Sequence, residues 1–301
     1  MKVGPEMLER VLELDKRYRS TWDAHAIAHV VKLSPTTAAK ILREHRGPRP
    51  KREEPAHTRR TRFIRRDVMW SSDFTHIGWG WLLLRTLDEH SGYILGWDLV
   101  KSEDSIGVLE HGQSIVGSME RGPLVWKYDH GSGFISDVFQ YFMEGEGIVP
   151  YPTAPRAPWT NGRTEREHQE THNWLRPLEG RELGKAELER EIGDGMLVRN
   201  YVKPRACLGF RKSAEVYFGK DAELEVDEEM RGWLAQEIIN AKGALGADDP
   251  EEVYGIRKSK ERVHRKAVKV ALEKLGLYEE WDTAAGERPS EGVSVNRTGG
   301  K

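Results

Sequence analysis

The sequence predicts an α/β core, a mixed sheet in the order βββαβαβα flanked by helices, preceded by an all-α helix-turn-helix segment. Three observations predict it. Apolar residues recur at helical spacing through residues 5–46. From residue 67 the pattern changes to strand-like runs, three in hairpin succession and two more alternating with helices. A basic, proline-containing stretch separates the two regions.

Residues 5–19 place Met7, Leu8, Val11, Leu12, Leu14 and Tyr18 on a helix. A second short helix covers 23–31, with Asp23 placed to cap it. Ser34 can cap a third helix, and Pro35 suits its first position. A tight turn between the second and third helices, with a helix in front, is the pattern of a helix-turn-helix unit over 1–46. In that reading Thr36, Thr37, Lys40 and Arg43 lie on the recognition helix and meet DNA. A small helical bundle without a nucleic-acid role is the alternative, and the following segment favours DNA. Residues 46–66 hold nine Lys/Arg, two Glu and three Pro. Positions 47–66 therefore read as an extended basic linker in which Arg49, Lys51, Arg52, Arg59 and Arg60 track phosphates.

The core is expected over 67–218. Strands are predicted at 68–77, 81–88 and 93–100, with the turn EHSG between the last two. A helix over 102–119 is weakened by Gly107, Gly112 and Gly117. A strand at 124–129 is followed by a helix at 136–147 whose apolar side carries Val138, Phe139, Phe142 and Met143. A short strand at 148–153, a loop APRAPWTNG and a helix at 164–175 complete the order. Residues 219–301 read as a mainly helical extension, first acidic and then basic, with a disordered tail.

The chain of 301 residues has a net charge of −2. Residues 1–66 contain 17 Lys/Arg and 8 Asp/Glu, so a front end of +9 sits on a body of −11. That asymmetry suits a polyanionic partner. A single cysteine, Cys207, excludes an intrachain disulfide and a cysteine-based zinc cluster. No signal-peptide core and no apolar run approaching about 18 residues is present, so no membrane partner and a cytoplasmic location are expected.

Three acids stand at chosen places. Asp73 lies within the first core strand, Asp129 closes the fourth, and Glu165 opens the helix after the proline-containing loop. Each has an ordinary explanation: a strand-surface residue, a turn residue, a first-turn acid favoured by the helix dipole. On one mixed sheet they can converge, and three crowded carboxylates repel unless a cation joins them. Oxygen ligands without cysteine point to Mg²⁺ or Mn²⁺. Carboxylates bridging two such ions are a standard arrangement for phosphodiester chemistry.

Thirty-five residues separate Asp129 from Glu165. With Asp73 upstream, this resembles the D,D(35)E signature of retroviral integrases and the related DDE transposases of bacterial insertion sequences. "WSSDFTHI" is similar to that family's first acidic strand, and "YDHGSGF" to its second acid with a glycine turn. "PWTNGRTEREH" is similar to its Asn-Gly-basic-x-Glu-Arg segment, and "NYVKPRACLGFRKSAEVY" resembles the closing segment of the insertion-sequence enzymes. The resemblance covers roughly residues 67–218. It implies a ribonuclease H-like fold, with Asp73, Asp129 and Glu165 as catalytic ligands of two Mg²⁺ or Mn²⁺ ions. It implies cleavage at element ends, strand transfer into target DNA, and a homo-oligomer on DNA. Arg156, Asn161, Arg163 and Arg166 then contact DNA around the acidic helix, with His130 and Trp159 as accessory groups. A helper protein is not specified by the sequence.

The chain departs from the family pattern in places. Glu167 stands where an aromatic is common, Gln169 and His172 where basic residues hold the DNA end, and Ser213 where proline usually precedes Ala214-Glu215. These departures bear on DNA-end recognition rather than on the acids. His76, His90 and His111 read as surface or core histidines, and Trp70, Trp79, Trp81, Trp97 and Trp126 as packing residues. Two other functions stay open: a helix-turn-helix regulator on an inactive core, and a metal-dependent nuclease that cuts without joining.

Overall fold

A computed structural model describes residues 4–47, 59–154, 162–220, 226–254 and 260–282. Helices α1 (Pro5–Arg17), α2 (Ala24–Val31) and α3 (Pro35–Arg46) form the front unit. Asp23 caps α2 by accepting from Ala26 N at 2.9 Å, and Ser34 caps α3 by accepting from Thr37 N at 3.1 Å. Val11, Trp22, Ile27, Val31, Ile41 and Leu42 make its core. Arg46, the first cation of the basic stretch, turns back to pair with the buried Asp15 of α1.

The unit docks on the body of the chain. Arg19 donates to Trp174 O at 3.0 Å and to Glu191 Oε2 at 2.8 Å. Lys203 donates to Thr21 O at 2.9 Å, and His29 stacks on Phe210 with ring centroids 4.4 Å apart.

Five strands build the main sheet: β2 (Met69–Gly78), β3 (Trp81–Asp88), β4 (Ile94–Val100), β5 (Val125–Tyr128) and β6 (Val149–Pro152), in the order β4-β3-β2-β5-β6. The first three run antiparallel, and β5 and β6 pair in parallel. Helices α4 (Ser105–Met119), α5 (Asp137–Gly145), α6 (Gly162–Leu175) and α7 (Lys185–Leu197) surround them. This is the mixed α/β, ribonuclease H-like arrangement expected from the sequence.

Alternation along the strands separates the two faces. Trp70, Leu84, Trp126 and Tyr128 pack against Val108, Ile115, Phe134 and Phe139, under α4 and α5. Ile77, Leu83 and Leu99 pack against Trp174, Leu175, Leu188 and Ile192, under α6 and α7. His111 is a core histidine as read: its ring joins Thr86 Oγ1 at 2.8 Å to Asp98 Oδ2 at 2.5 Å. The glycines of α4 also find reasons. Asp104 caps the helix through Gly107 N at 2.8 Å. A Cβ on Gly112 would stand 3.0 Å from Phe142 and 3.1 Å from Phe139, so the missing side chain lets α4 approach α5.

One reading of the sequence needs correction. The segment taken as extended linker contains a strand, β1 (Arg59–Phe63), paired antiparallel with β7 (Tyr278–Asp282) near the far end of the chain. The pairing is driven by complementary charge and an aromatic contact. Arg62 Nη2 meets Glu279 Oε2 at 2.7 Å, and Phe63 lies 5.2 Å from Tyr278 between ring centroids. Arg59 and Arg60 therefore belong to a sheet rather than to a free arm. Residues beyond 218 add further helices to the body. After the short helix α8 (Ser213–Tyr217) come α9 (Glu228–Ala244) and α10 (Glu261–Lys274). Leu234, Ile238, Ala267, Val268 and Leu272 of these helices share one apolar cluster with Val125, Val149 and Tyr151 of the sheet.

Candidate active site

Asp73 and Asp129 meet because of register. β2 and β5 pair in parallel with Ser71 opposite Lys127. Asp73 lies two residues further along β2 and Asp129 one residue past the end of β5, near enough for the Asp129 charge to act on Asp73. The Asp73 side chain is only 17% exposed. Burial pushes its pKa up to about 7; the Asp129 charge adds to the rise, against the pull of the Phe74 N–H, Arg85 and Lys127.

The turn after Asp129 is built for close passage. Asp129 Oδ1 accepts from Gly131 N at 2.8 Å, which folds the chain back on the carboxylate. A Cβ on Gly133 would stand 2.6 Å from Val108 Cγ2 and 2.7 Å from the Asp104 carbonyl oxygen. Glycine is needed there for the loop to cross the N-terminus of α4.

Glu165 lies in the first turns of α6, and its side chain is outside the described residues, as are those of Arg163 and Arg59. Arg49, Lys51, Arg52, Arg156, Trp159 and Asn161 are outside them altogether. Among the described residues, a polar network holds α6 in place. Arg199 Nε donates to Glu167 Oε2 at 2.7 Å and Arg205 Nη2 to Glu167 Oε1 at 3.1 Å. Arg199 also donates to Ser213 Oγ at 2.7 Å and to Gly92 O at 3.0 Å. Lys203 reaches Glu170 Oε1 at 2.8 Å. Arg85, opposite Asp73 in the β2–β3 ladder, donates to Thr171 Oγ1 at 3.0 Å. Glu167 and Ser213 were two separate departures from the family pattern; Arg199 joins them in one buried network. Sequence reading missed Arg85, Arg199 and Arg205. The only signal was an acid at a position expected to be aromatic.

His168 follows Glu165 by three residues on α6, with Nε2 3.7 Å from Asp73 Oδ2. Burial, then the charges of Arg85 and His172, push its pKa down to about 3, leaving a neutral ring. His130 does not join the acids: its Nε2 bonds Thr153 O at 2.9 Å and faces Glu261 Oε2 at 3.5 Å. On α3, Thr36, Lys40 and Arg43 are exposed, while Thr37 shares a 2.7 Å hydrogen bond with Ser34. Arg166 is exposed on α6 and Arg60 on β1.

Asp73 within β2 and Asp129 just past β5 offer hard carboxylate oxygens, and two half-buried carboxylates whose charges act on each other are favoured by a neutralising cation. Asp73 and Asp129 therefore fit a divalent ion such as Mg²⁺. Among the described residues no cluster of three His, Cys, Asp or Glu could hold one. No helix among the described residues is long and apolar enough to cross a membrane.

A β4-β3-β2-β5-β6 sheet bearing two acids on neighbouring strands is a core of the ribonuclease H-like class. Residues 65–158 match the family model of the integrase core domain. The match includes Asp73 and Asp129 and stops short of Glu165. No functionally curated protein matches the chain. Among solved structures, it is similar to the HTLV-2 integrase catalytic core domain in complex with magnesium, at 20% identity over 52% of this chain and 99% of that one, with a TM-score of 0.44. The simian T-cell lymphotropic virus intasome in complex with the PP2A regulatory subunit B56 gamma is similar at 17% identity over 72% of this chain and 78% of that one, with a TM-score of 0.49. The catalytic core domain of BIV integrase is similar at 18% identity over 50% and 93%, with a TM-score of 0.42.

Proposed function

We propose that this chain is a DDE-type transposase or integrase of an insertion-sequence kind, cutting DNA at its element's ends and joining them to target DNA. The observation that carries the reading is the pair Asp73 on β2 and Asp129 just past the parallel strand β5, whose charges act on each other within the integrase-like segment. Glu165 supplies the third carboxylate from the start of α6. When bound between these carboxylates, two Mg²⁺ or Mn²⁺ ions supply Lewis-acid polarisation of the phosphodiester. The chain's own part would be to hold those ions through Asp73, Asp129 and Glu165 and to position DNA.

Helices α1–α3 serve as the DNA-binding unit, with Thr36, Thr37, Lys40 and Arg43 toward the groove. Arg49, Lys51, Arg52, Arg59, Arg60, Arg156, Asn161, Arg163 and Arg166 hold phosphates, with Trp159 beside them. The protein assembles as a homo-oligomer, since two ends must be joined, and works on DNA in the cytoplasm.

The test is Mn²⁺-dependent nicking and strand transfer on DNA carrying the gene's own flanking ends. Wild type is run beside Asp73→Asn, Asp129→Asn and Glu165→Gln. Joined products that vanish in all three variants are expected. Tight binding without cleavage would instead make the chain a regulator, and cleavage without joining a nuclease.

A further inference from the structure

We propose that Glu261, the first residue of α10, is a positioning residue for Asp129 and acts on it through His130. The inference rests on the reading of Asp129 as a catalytic carboxylate. It adds a residue from outside the integrase-like segment 65–158 and makes the C-terminal helices part of the active site.

Asp129 follows the last residue of β5, so a turn rather than a strand carries it. Three contacts hold that turn. Within it, Gly131 N donates to Asp129 Oδ1 at 2.8 Å. Beside the start of α4, Ser132 Oγ donates to Glu103 O at 2.7 Å. The third contact is His130, whose Nε2 donates to Thr153 O at 2.9 Å, just past the end of β6. Glu261 Oε2 stands 3.5 Å from the same nitrogen, near enough to attract that N–H. The ring therefore lies between the end of β6 and the start of α10, one residue from Asp129.

The helix that carries Glu261 is fixed along β6. Glu261 is buried, and a buried carboxylate needs partners. Arg265, one turn on, meets Glu261 Oε2 at 3.3 Å and donates to Pro152 O at 3.3 Å. His264 is fully buried, and its Nε2 donates to Pro150 O at 2.9 Å. β6 is an edge strand of the main sheet, and Pro150 and Pro152 have no N–H to offer a further strand. Its carbonyls bond side chains of α10 instead, which covers the edge. Ala267, Val268 and Leu272 seat the rest of the helix against Val149 and Tyr151. The first turn of α10 is thereby set at the carboxyl end of β6, with Glu261 against the His130 ring.

A catalytic carboxylate tolerates little displacement, since a misplacement of ~1 Å can cost about a hundredfold in rate. Were Glu261 only a partner for Arg265, its loss would loosen α10 and leave the turn after β5 as it is. The contact with His130 predicts more: turnover falls while DNA affinity holds.

The full chain is assayed for nicking and strand transfer on its own flanking ends with Mn²⁺ at pH 7.5. Glu261→Ala and His130→Ala should each lower the rate at saturating DNA at least about tenfold, with KM for DNA changed less than about twofold. Glu261→Gln keeps an acceptor and His130→Gln a donor, and each should restore most of the rate. The double variant Glu261→Ala, His130→Ala should lose no more than His130→Ala alone, because both act through one turn. Arg262→Ala, exposed at the next position of α10, is the control and should match wild type. A second readout needs no turnover. In ¹H–¹⁵N spectra of the histidine rings, the His130 signals should move in Glu261→Ala and stay near wild type in Glu261→Gln. His130 signals unmoved in Glu261→Ala overturn the inference and leave the catalytic reading in place. So does turnover unchanged in both alanine variants while Asp129→Asn abolishes it, or a double variant whose losses add. A wild-type chain that binds its ends without cutting overturns the catalytic reading, and this inference with it.

Discussion

Replacing Glu167 with glutamine should destabilise the whole chain, and the structure gives the size of the effect. The Glu167 side chain is 1% exposed, and its partners Arg199 and Arg205 are 6% and 9% exposed. Glutamine keeps the shape but removes the charge that two buried guanidinium groups share. Breaking a buried pair from one side costs about 3–5 kcal/mol, because the remaining charge is left uncompensated. Glu170, 3.6 Å from Arg199 Nε, still offers a carboxylate, which places the loss toward the lower end of that range. At roughly 2–4 °C per kcal/mol the melting temperature should fall by about 6–12 °C. Circular dichroism melts at pH 7 in 0.1 and 0.5 M NaCl measure it. The fall should be the same in both, since buried charges are little screened. Glu215→Gln serves as the control: its pair with Lys212 is solvent-exposed and contributes at most about 1 kcal/mol. A Glu167→Gln melt within about 2 °C of wild type at both salts would refute the view that this network clamps α6 to the sheet.

Other outcomes follow from the same geometry. Asp73 has a folded pKa of about 7 against about 3.9 unfolded; the folded state holds more protons between those values, so its contribution to stability is lost as pH rises from about 4 to 7. Asp73→Asn should therefore melt above wild type at pH 8 in EDTA and match it near pH 4; a lower melt at pH 8 would contradict the burial argument. Gly133→Ala meets the Asp104 carbonyl oxygen at 2.7 Å, which cannot swing aside, and should cost about 1–3 kcal/mol in urea denaturation. Gly117→Ala, with nothing within 4 Å of its new Cβ, should instead gain up to about 1 kcal/mol. Lys40→Ala with Arg43→Ala should weaken DNA binding and lower the slope of log K against log salt by about 2, as read by fluorescence anisotropy across a salt series.

How much of this was legible in the sequence depended on distance along the chain. Strands β2 to β6, the caps Asp23 and Ser34, and the placing of Asp73 and Asp129 come from local patterns, and local patterns survive reading one window at a time. β1 does not: its partner strand lies far along the chain, with Arg62 meeting Glu279 217 residues away. A run RRTRF has no reason to be a strand until YEEWD lies beside it. The same blindness affected α6. Read singly, Glu167 looked like a lost aromatic and Ser213 like a lost proline, each a defect in DNA recognition. Arg199 turns both into one feature, because a buried guanidinium needs a carboxylate on one side and can use a hydroxyl on the other. The two departures are therefore coupled, and restoring one alone should harm the chain. Ser213→Pro in an otherwise unaltered chain removes one acceptor of Arg199 and should destabilise it, even though it moves the sequence toward the family pattern it resembles. In a Glu167→Phe, Arg199→Leu background the same proline should cost less than it does alone, because the guanidinium it orphans is no longer there. Equal costs in both backgrounds would mean the two positions are energetically independent.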